Sequence, residues 1–179
     1  MIPFLKQALL LLCLLPLLSQ AEVVLQGKIS SRVSAHVVRA NTLTVTDPLG
    51  GWYEQGVAMT QPGAFNSPYQ VTLPLRVTSS SGVFQVSLGN PLLLQHQENP
   101  LLQFTQVEVK MGAVDGALQP LSLTGRPFRI SPAPLPGEES IGDFVLQISA
   151  VPPVGEFDAV TGTYSGVLSL TFEPVLEDA

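Results

Sequence analysis

From Leu25 to Val37 the odd positions hold apolar or small residues (Leu25, Gly27, Ile29, Ser31, Val33, Ala35, Val37). The even positions hold Gln26, Lys28, Ser30, Arg32, Ser34 and His36. Successive side chains take opposite faces of a strand but spread around a helix, so thirteen residues without a phase error commit this stretch to β structure. A second run closes the chain, with Tyr164, Gly166, Leu168, Leu170 and Phe172 on one face. Ser165, Ser169, Thr171 and Glu173 take the other face, and Val167 is the exception. Shorter alternating runs predict strands at Leu43 to Val45, Tyr69 to Val77, Val83 to Leu88, Leu102 to Met111 and Phe144 to Ala150. Between them lie residues whose restricted or positive φ favours turns: Asp47-Pro48, Gly50-Gly51, Ser81-Gly82, Gly89-Asn90-Pro91, Asp115-Gly116 and Pro152-Pro153. No helical stripe follows Ala21. Short strands with frequent turns predict an antiparallel β-sandwich of Greek-key type. Residues 131 to 143 contain three prolines and are expected to form a surface loop with Glu138 and Glu139 at a solvated tip.

The leading residues read as an address. Lys6 precedes an apolar run from Ala8 to Leu18, eleven residues that as helix span roughly 17 Å, about half of a bilayer's hydrocarbon core. That length suits a signal peptide, and the small residues of Ser19-Gln20-Ala21 predict cleavage between Ala21 and Glu22. The chain's single cysteine, Cys13, lies inside that run, so the mature protein is expected to carry no thiol. Disulfide stapling, thiolate catalysis and cysteine-ligated metal are then excluded together.

Charged residues make up 12% of the chain, against about 25% in ordinary globular proteins. Both disorder and nucleic-acid binding need many solvated or basic side chains, and 8 Lys and Arg form no phosphate-tracking stripe. The chain offers little catalytic chemistry. His36 falls on the polar face of its run, and neither it nor His96 has a second His, Cys or acid at ligand spacing. No Gly-x-Ser-x-Gly elbow is present. Gly27-Lys28-Ile29-Ser30 lacks the upstream glycine of a phosphate loop, where Glu22 stands instead. Glu156 and Asp158, beside a Val-Pro-Pro turn, are read as hydrated. Trp52-Tyr53 suits either stacking on a sugar or anchoring one end of the sandwich. The expectation is a protein that is not an enzyme and that takes no cofactor and no metal.

The C-terminal run Gly162-Thr163-Tyr164-Ser165-Gly166-Val167-Leu168-Ser169-Leu170 resembles the closing strand of major pilins of the alternative chaperone–usher class, the alpha or coli surface antigen one type. Leu146-Gln147-Ile148-Ser149-Ala150, Leu73-Pro74-Leu75-Arg76-Val77 and Phe104-Thr105 with Val107 and Val109 are similar to the same family. The resemblance covers most of the chain after about Gln70 and leaves residues 38 to 68 unmatched.

This resemblance implies an incomplete immunoglobulin-like sandwich (39–179), preceded by a donor-strand extension (22–38) and a signal peptide (1–21). In such pilins the extension of one subunit fills the open groove of the next. Leu25, Gly27, Ile29, Ser31, Val33, Ala35 and Val37 would form the donor strand. Tyr164, Gly166, Leu168, Leu170 and Phe172 would form the groove-edge strand. The implied partners are neighbouring pilin subunits in a homopolymer, a periplasmic chaperone, an outer-membrane usher, a tip adhesin and a host surface receptor. The implied route runs through the periplasm to a fimbrium on the cell surface. Burial of Leu25, Ile29, Val33 and Val37 would contribute about 6–12 kcal/mol before ordering costs. The same period-two pattern also suits the domain's own first strand, as in a monomeric secreted sandwich that binds carbohydrate or protein. Pattern alone does not separate the two.

Charge is distributed unevenly. From Glu22 to Arg129 there are 7 basic and 6 acidic residues, and from Ile130 to Ala179 there are 0 basic and 8 acidic. Lys28 and Arg32 stand on the polar face of the leading strand, with Arg39 just beyond. A basic leading strand meeting an acidic C-terminal half of a neighbour would speed encounter more than it adds affinity.

Overall fold

Apolar residues at period two give a strand one dry face, and this chain stacks two such faces against each other. The computed structural model describes residues 41–63 and 67–175, all within one unit, Val38–Ala179. The proposed donor strand Leu25–Val37, His36 and the signal-cleavage pair Ala21 and Glu22 lie outside the described residues.

In chain order the elements are β1 (Leu43–Thr46), β2 (Tyr69–Ser79), β3 (Val83–Leu88), β4 (Gln95–His96), β5 (Thr105–Ala113) and β6 (Gln119–Pro120). They continue with β7 (Arg126–Arg129), β8 (Ser140–Val151), the single-turn α1 (Phe157–Val160), β9 (Tyr164–Ser165) and β10 (Leu170–Pro174). One sheet has the order β1-β2-β8-β5-β6, a second β10-β3-β7, and a short ribbon pairs β4 with β9. Every pairing between these strands is antiparallel. The architecture is an all-β, immunoglobulin-like antiparallel sandwich.

The core comes from the inward positions of each run. Leu73 and Leu75 of β2 lie opposite Leu146 and Phe144 of β8, Val77 lies opposite Gly142 and Ile148 opposite Val71, and Leu73, Leu75, Val77, Phe144, Leu146 and Ile148 are all buried. Phe84 and Val86 of β3, Val109 and Met111 of β5 and Phe128 of β7 complete the layer. The turn between β2 and β3 is held by the fully buried Ser79, whose Oγ accepts from the Gly82 amide at 3.2 Å. Gly82 sits at φ 69°, a left-handed conformation that side chains disfavour.

Pro74 occupies the middle of β2, a strand paired on both sides, where a missing N–H is usually excluded. The register explains it. β1 reaches β2 only as far as Thr46 opposite Arg76, so the outward side of position 74 faces no strand. In an antiparallel ladder the nitrogen and carbonyl of one residue point the same way. The Pro74 carbonyl on that side accepts a hydrogen bond from the Tyr53 hydroxyl at 2.7 Å.

Three expectations are corrected. Ser140 to Asp143 are not loop but the start of β8, paired with Arg76 to Ser79; Pro132, Pro134 and Pro136 all precede them, so the φ restriction ends before the strand begins. The run expected from Leu102 starts at Thr105 and bulges before Glu108, with Gln106 at φ 47°. The bulge is where the apolar phase slips from Leu102 and Phe104 to Val107, Val109 and Met111. The closing run is two strands, β9 and β10, because at Gly166 the backbone is pressed against the Leu93 carbonyl, where a Cβ would lie 2.1 Å from the oxygen.

Candidate functional site: a cleft beside the last strand

β10 pairs with β3 through Leu170 opposite Leu88 and Phe172 opposite Val86. Among the described residues its other edge has no strand, and β1, the nearest edge of the facing sheet, pairs only with β2. The sandwich is therefore open along one side.

A cleft of about 1380 Å³ runs into this opening. Leu73, Leu146 and Ile148 of the large sheet form its floor, and Leu92, Leu94, Leu168 and Leu170 form one wall. The other lip is the segment after β1, from Trp52 to Met59. Inward residues of the closing run, Tyr164, Leu168, Leu170 and Phe172, are only half-buried, although their alternation is that of a core strand. Val167, the phase exception, points outward and is 79% exposed.

One end of the cleft is set by an aromatic row. Tyr69 meets Phe104 edge-on with ring centres 5.4 Å apart, Phe104 meets Tyr164 at 5.0 Å, and Tyr164 meets His96 at 5.0 Å. The Tyr164 hydroxyl donates to the Val160 carbonyl at 2.8 Å. Burial holds its phenol above the usual range, so it remains a donor. His96 is buried, and its Nδ1 accepts from the amides of Glu98 (3.1 Å) and Asn99 (3.0 Å). Nε2 must then carry the proton and donates to the Thr161 carbonyl at 3.2 Å. This histidine ties the loop after β4 to the turn before β9. Gly162 makes the tie possible: a Cβ there would lie 1.8 Å from Nε2. The Gly-Thr-Tyr-Ser-Gly sequence is thus a packing device, with a glycine against His96, a tyrosine inside and a glycine against Leu93.

At the β1 side Trp52 packs edge-on against Phe172 with ring centres 6.4 Å apart, and Tyr53 lies 5.9 Å from Trp52. Tyr53 is the anchor, through Pro74, and its phenol is raised by burial and by the nearby Asp47 carboxylate. Trp52 lines the cleft mouth and is 44% exposed.

Of the residues singled out in the sequence, Tyr164, Gly166, Leu168 and Leu170 line the cleft and Phe172 continues the edge. Glu156 and Asp158 are exposed on and beside α1. Trp52, Met59 and Leu94 belong to the cleft without any periodic signal in the sequence to place them there; the nearest hint was the aromatic pair Trp52-Tyr53.

No family model matches the chain, and no curated protein matches it. Among solved structures, the CooA pilin subunit from enterotoxigenic Escherichia coli is similar over 77% of this chain and 90% of that one, with a TM-score of 0.59 and 23% identity. A chain from the chaperone–tip adhesin complex of CFA/I fimbriae biogenesis is similar over 75% of this chain and 43% of that one, with a TM-score of 0.50 and 11% identity. These likenesses establish the fold: the described sandwich is built like that of a pilin subunit.

Proposed function

We propose that this chain is a structural subunit of a surface fimbrium, joined head to tail by strand donation. Residues 39–179 form the body, and residues 22–38 the extension that enters the next body. Leu25, Ile29, Val33 and Val37 fill the cleft, while Gly27 and Ser31 pass its narrower points. The observation that carries this reading is the apolar cleft beside β10, an edge strand whose inward residues stay half-buried. An apolar slot beside unpaired backbone invites aggregation unless another strand caps it, and capping by an added strand gives main-chain affinity and side-chain selectivity together. A periplasmic chaperone would hold the slot until an outer-membrane usher passes the subunit outward. A tip adhesin, and through it a host receptor, would complete the assembly. The role is mechanical and not catalytic.

The test is the state of the purified mature chain. Without a chaperone it should form chains or aggregates, and fusing residues 23–37 to its C-terminus should yield a soluble monomer. Ile29→Asp should abolish chain formation by placing a charge in an apolar pocket. A mature chain that is monomeric unaided, with Ile29→Asp unfolding it, would instead make residues 25–37 the domain's own strand.

A further inference from the structure

Resting on that reading, the cleft and the leading segment carry opposite charge. Between Asn41 and Val175 there are 11 carboxylates and 4 cations. The cations are Arg76, Lys110, Arg126 and Arg129, and none of them lines the cleft. Arg76 is paired with Asp143 at 3.0 Å and Lys110 with Glu108 at 2.6 Å, while Arg126 donates to the Gln119 side chain at 2.8 Å. Among the described residues lining the cleft, the charged side chain is that of Glu54. Pro152 to Gly155 and Val160 line it too, and between them Glu156 and Asp158 stand exposed. Glu173, on the edge strand itself, is also exposed. The leading segment from Glu22 to Ala40 carries Lys28, Arg32 and Arg39 against the single Glu22.

We propose that the cleft mouth is an electrostatic docking surface for the leading segment of a second copy, with Lys28 and Arg32 drawn by Glu54, Glu156, Asp158 and Glu173. The cations lie on the polar face of the alternating run, so they stay at the surface while Leu25, Ile29, Val33 and Val37 enter. Charges that remain solvated add little to the finished joint but orient the approach, which concentrates their effect in the association rate. The same imbalance sets body against body, since each copy presents mainly carboxylates around the cleft. Attraction is then reserved for the leading end, and encounters in the wrong orientation are repelled.

The experiment uses the mature chain carrying Ile29→Asp as acceptor, so that its own leading end does not compete, and a synthetic peptide of residues 23–38 as donor. Trp52, the one tryptophan in the sequence and a residue of the cleft mouth, reports insertion by its emission. Raising salt from about 0.01 M to 0.15 M shortens the screening length from about 30 Å to about 8 Å and should slow association about tenfold. A Lys28→Gln/Arg32→Gln peptide should associate three- to tenfold more slowly at low salt, with little salt dependence and an unchanged dissociation rate. Glu156→Gln/Asp158→Asn in the acceptor should reproduce part of that loss. If the wild-type peptide inserts at rates indifferent to salt and to these substitutions, the docking surface is refuted while strand donation stands. If the wild-type peptide leaves Trp52 emission unchanged, or the Ile29→Asp peptide changes it equally, strand donation itself fails.

Discussion

At one end of the sandwich Phe84 stacks on Phe128 at 5.8 Å and meets Phe144 edge-on at 5.2 Å, and all three rings are buried. At the other end Tyr69, Phe104 and Tyr164 form a row of similar spacing, yet all three are only half-buried. The two ends share β2 and β8, so the difference is not in the strands but in what lies across them. β3 and β7 cover the phenylalanine end, whereas beside Leu168 and Leu170 one position of the second sheet has no strand among the described residues. The phenylalanine end is finished as folded, and the tyrosine end has apolar surface left to bury.

The two ends should respond most differently to loss of one large side chain from each, in the chain whose C-terminus carries a fused copy of residues 23–37. Phe84→Ala removes a ring that is 0% exposed and should lower stability by about 3–5 kcal/mol, seen as a shifted denaturant midpoint. Leu168→Ala, on the half-buried wall, should lower it by about 1–2 kcal/mol, since only part of the side chain leaves a dry site. Without the fused strand the Leu168→Ala loss should shrink further, and the Phe84→Ala loss should persist. Equal losses at the two ends in both forms would mean that the cleft is ordinary core.

The joint between β4 and β9 should show the next largest effect. Gly162→Ala drives a methyl into the His96 ring and should destabilise by about 1–3 kcal/mol. His96→Ala alone leaves the Glu98 and Asn99 amides without their acceptor and should lower stability by a similar or smaller amount. In the double variant the methyl has room, so the two losses should add to less than their sum. Strict additivity would show that the glycine serves the backbone and not the histidine.

This pair of residues marks the limit of what the sequence discloses. Strand β2 was legible because its residues alternate without interruption from Tyr69 to Val77, and β3 because five residues alternate from Phe84 to Leu88. β4 and β6, of two residues each, have no period to read, and β7, Arg126-Pro127-Phe128-Arg129, shows one inward residue between a proline and two arginines. The bulge in β5 was visible only as a slip of phase. His96 looked like an isolated histidine, because its partners are backbone groups at Glu98, Asn99 and Thr161, and backbone groups carry no sequence signature. For the cleft, the alternation identified which side chains of the closing run point inward. That they remain half-buried depends on which strands the large sheet faces, a tertiary property that local periodicity does not encode.

The two tyrosine hydroxyls allow the open side to be probed by pH. Both phenols are raised above their ordinary value of about 10, Tyr53 by burial and then by Asp47, Tyr164 by burial. A raised folded value means that the unfolded chain loses its phenolic protons first. The contribution is therefore complete below about pH 10 and is lost as pH rises through the higher folded values. Stability measured between pH 8 and pH 11 should fall above about pH 10. In Tyr53→Phe and Tyr164→Phe that alkaline fall should be blunted. At neutral pH each variant should lose about 0.5–1.5 kcal/mol with its hydrogen bond to Pro74 or Val160. Tyr53→Phe should have a further effect on the cleft lip, where the hydroxyl is the group that occupies the ladder position left free beside Pro74. An unchanged alkaline limb in both variants would place the titrating groups elsewhere.

The smallest effect is expected outside both ends, on the solvent face of the large sheet. Arg76 and Asp143 are opposite one another in β2 and β8, and their side chains meet at 3.0 Å with 44% and 55% exposure. Solvent screening at that exposure leaves such a pair about 0–1 kcal/mol, so Asp143→Asn should change stability by no more than this, and less at high salt. The substitution is informative because Asp143 is also the last residue of the stretch of β8, Ser140 to Asp143, that its preceding prolines disguised as loop. If the strand there is fixed by its ladder to Arg76–Ser79 and by Phe144 beneath it, neutralising the carboxylate leaves amide-exchange protection of Ile141 to Val145 intact. Loss of protection confined to those residues would mean that the charge pair holds the strand start in register, and that the closed end depends on its surface as well as its core.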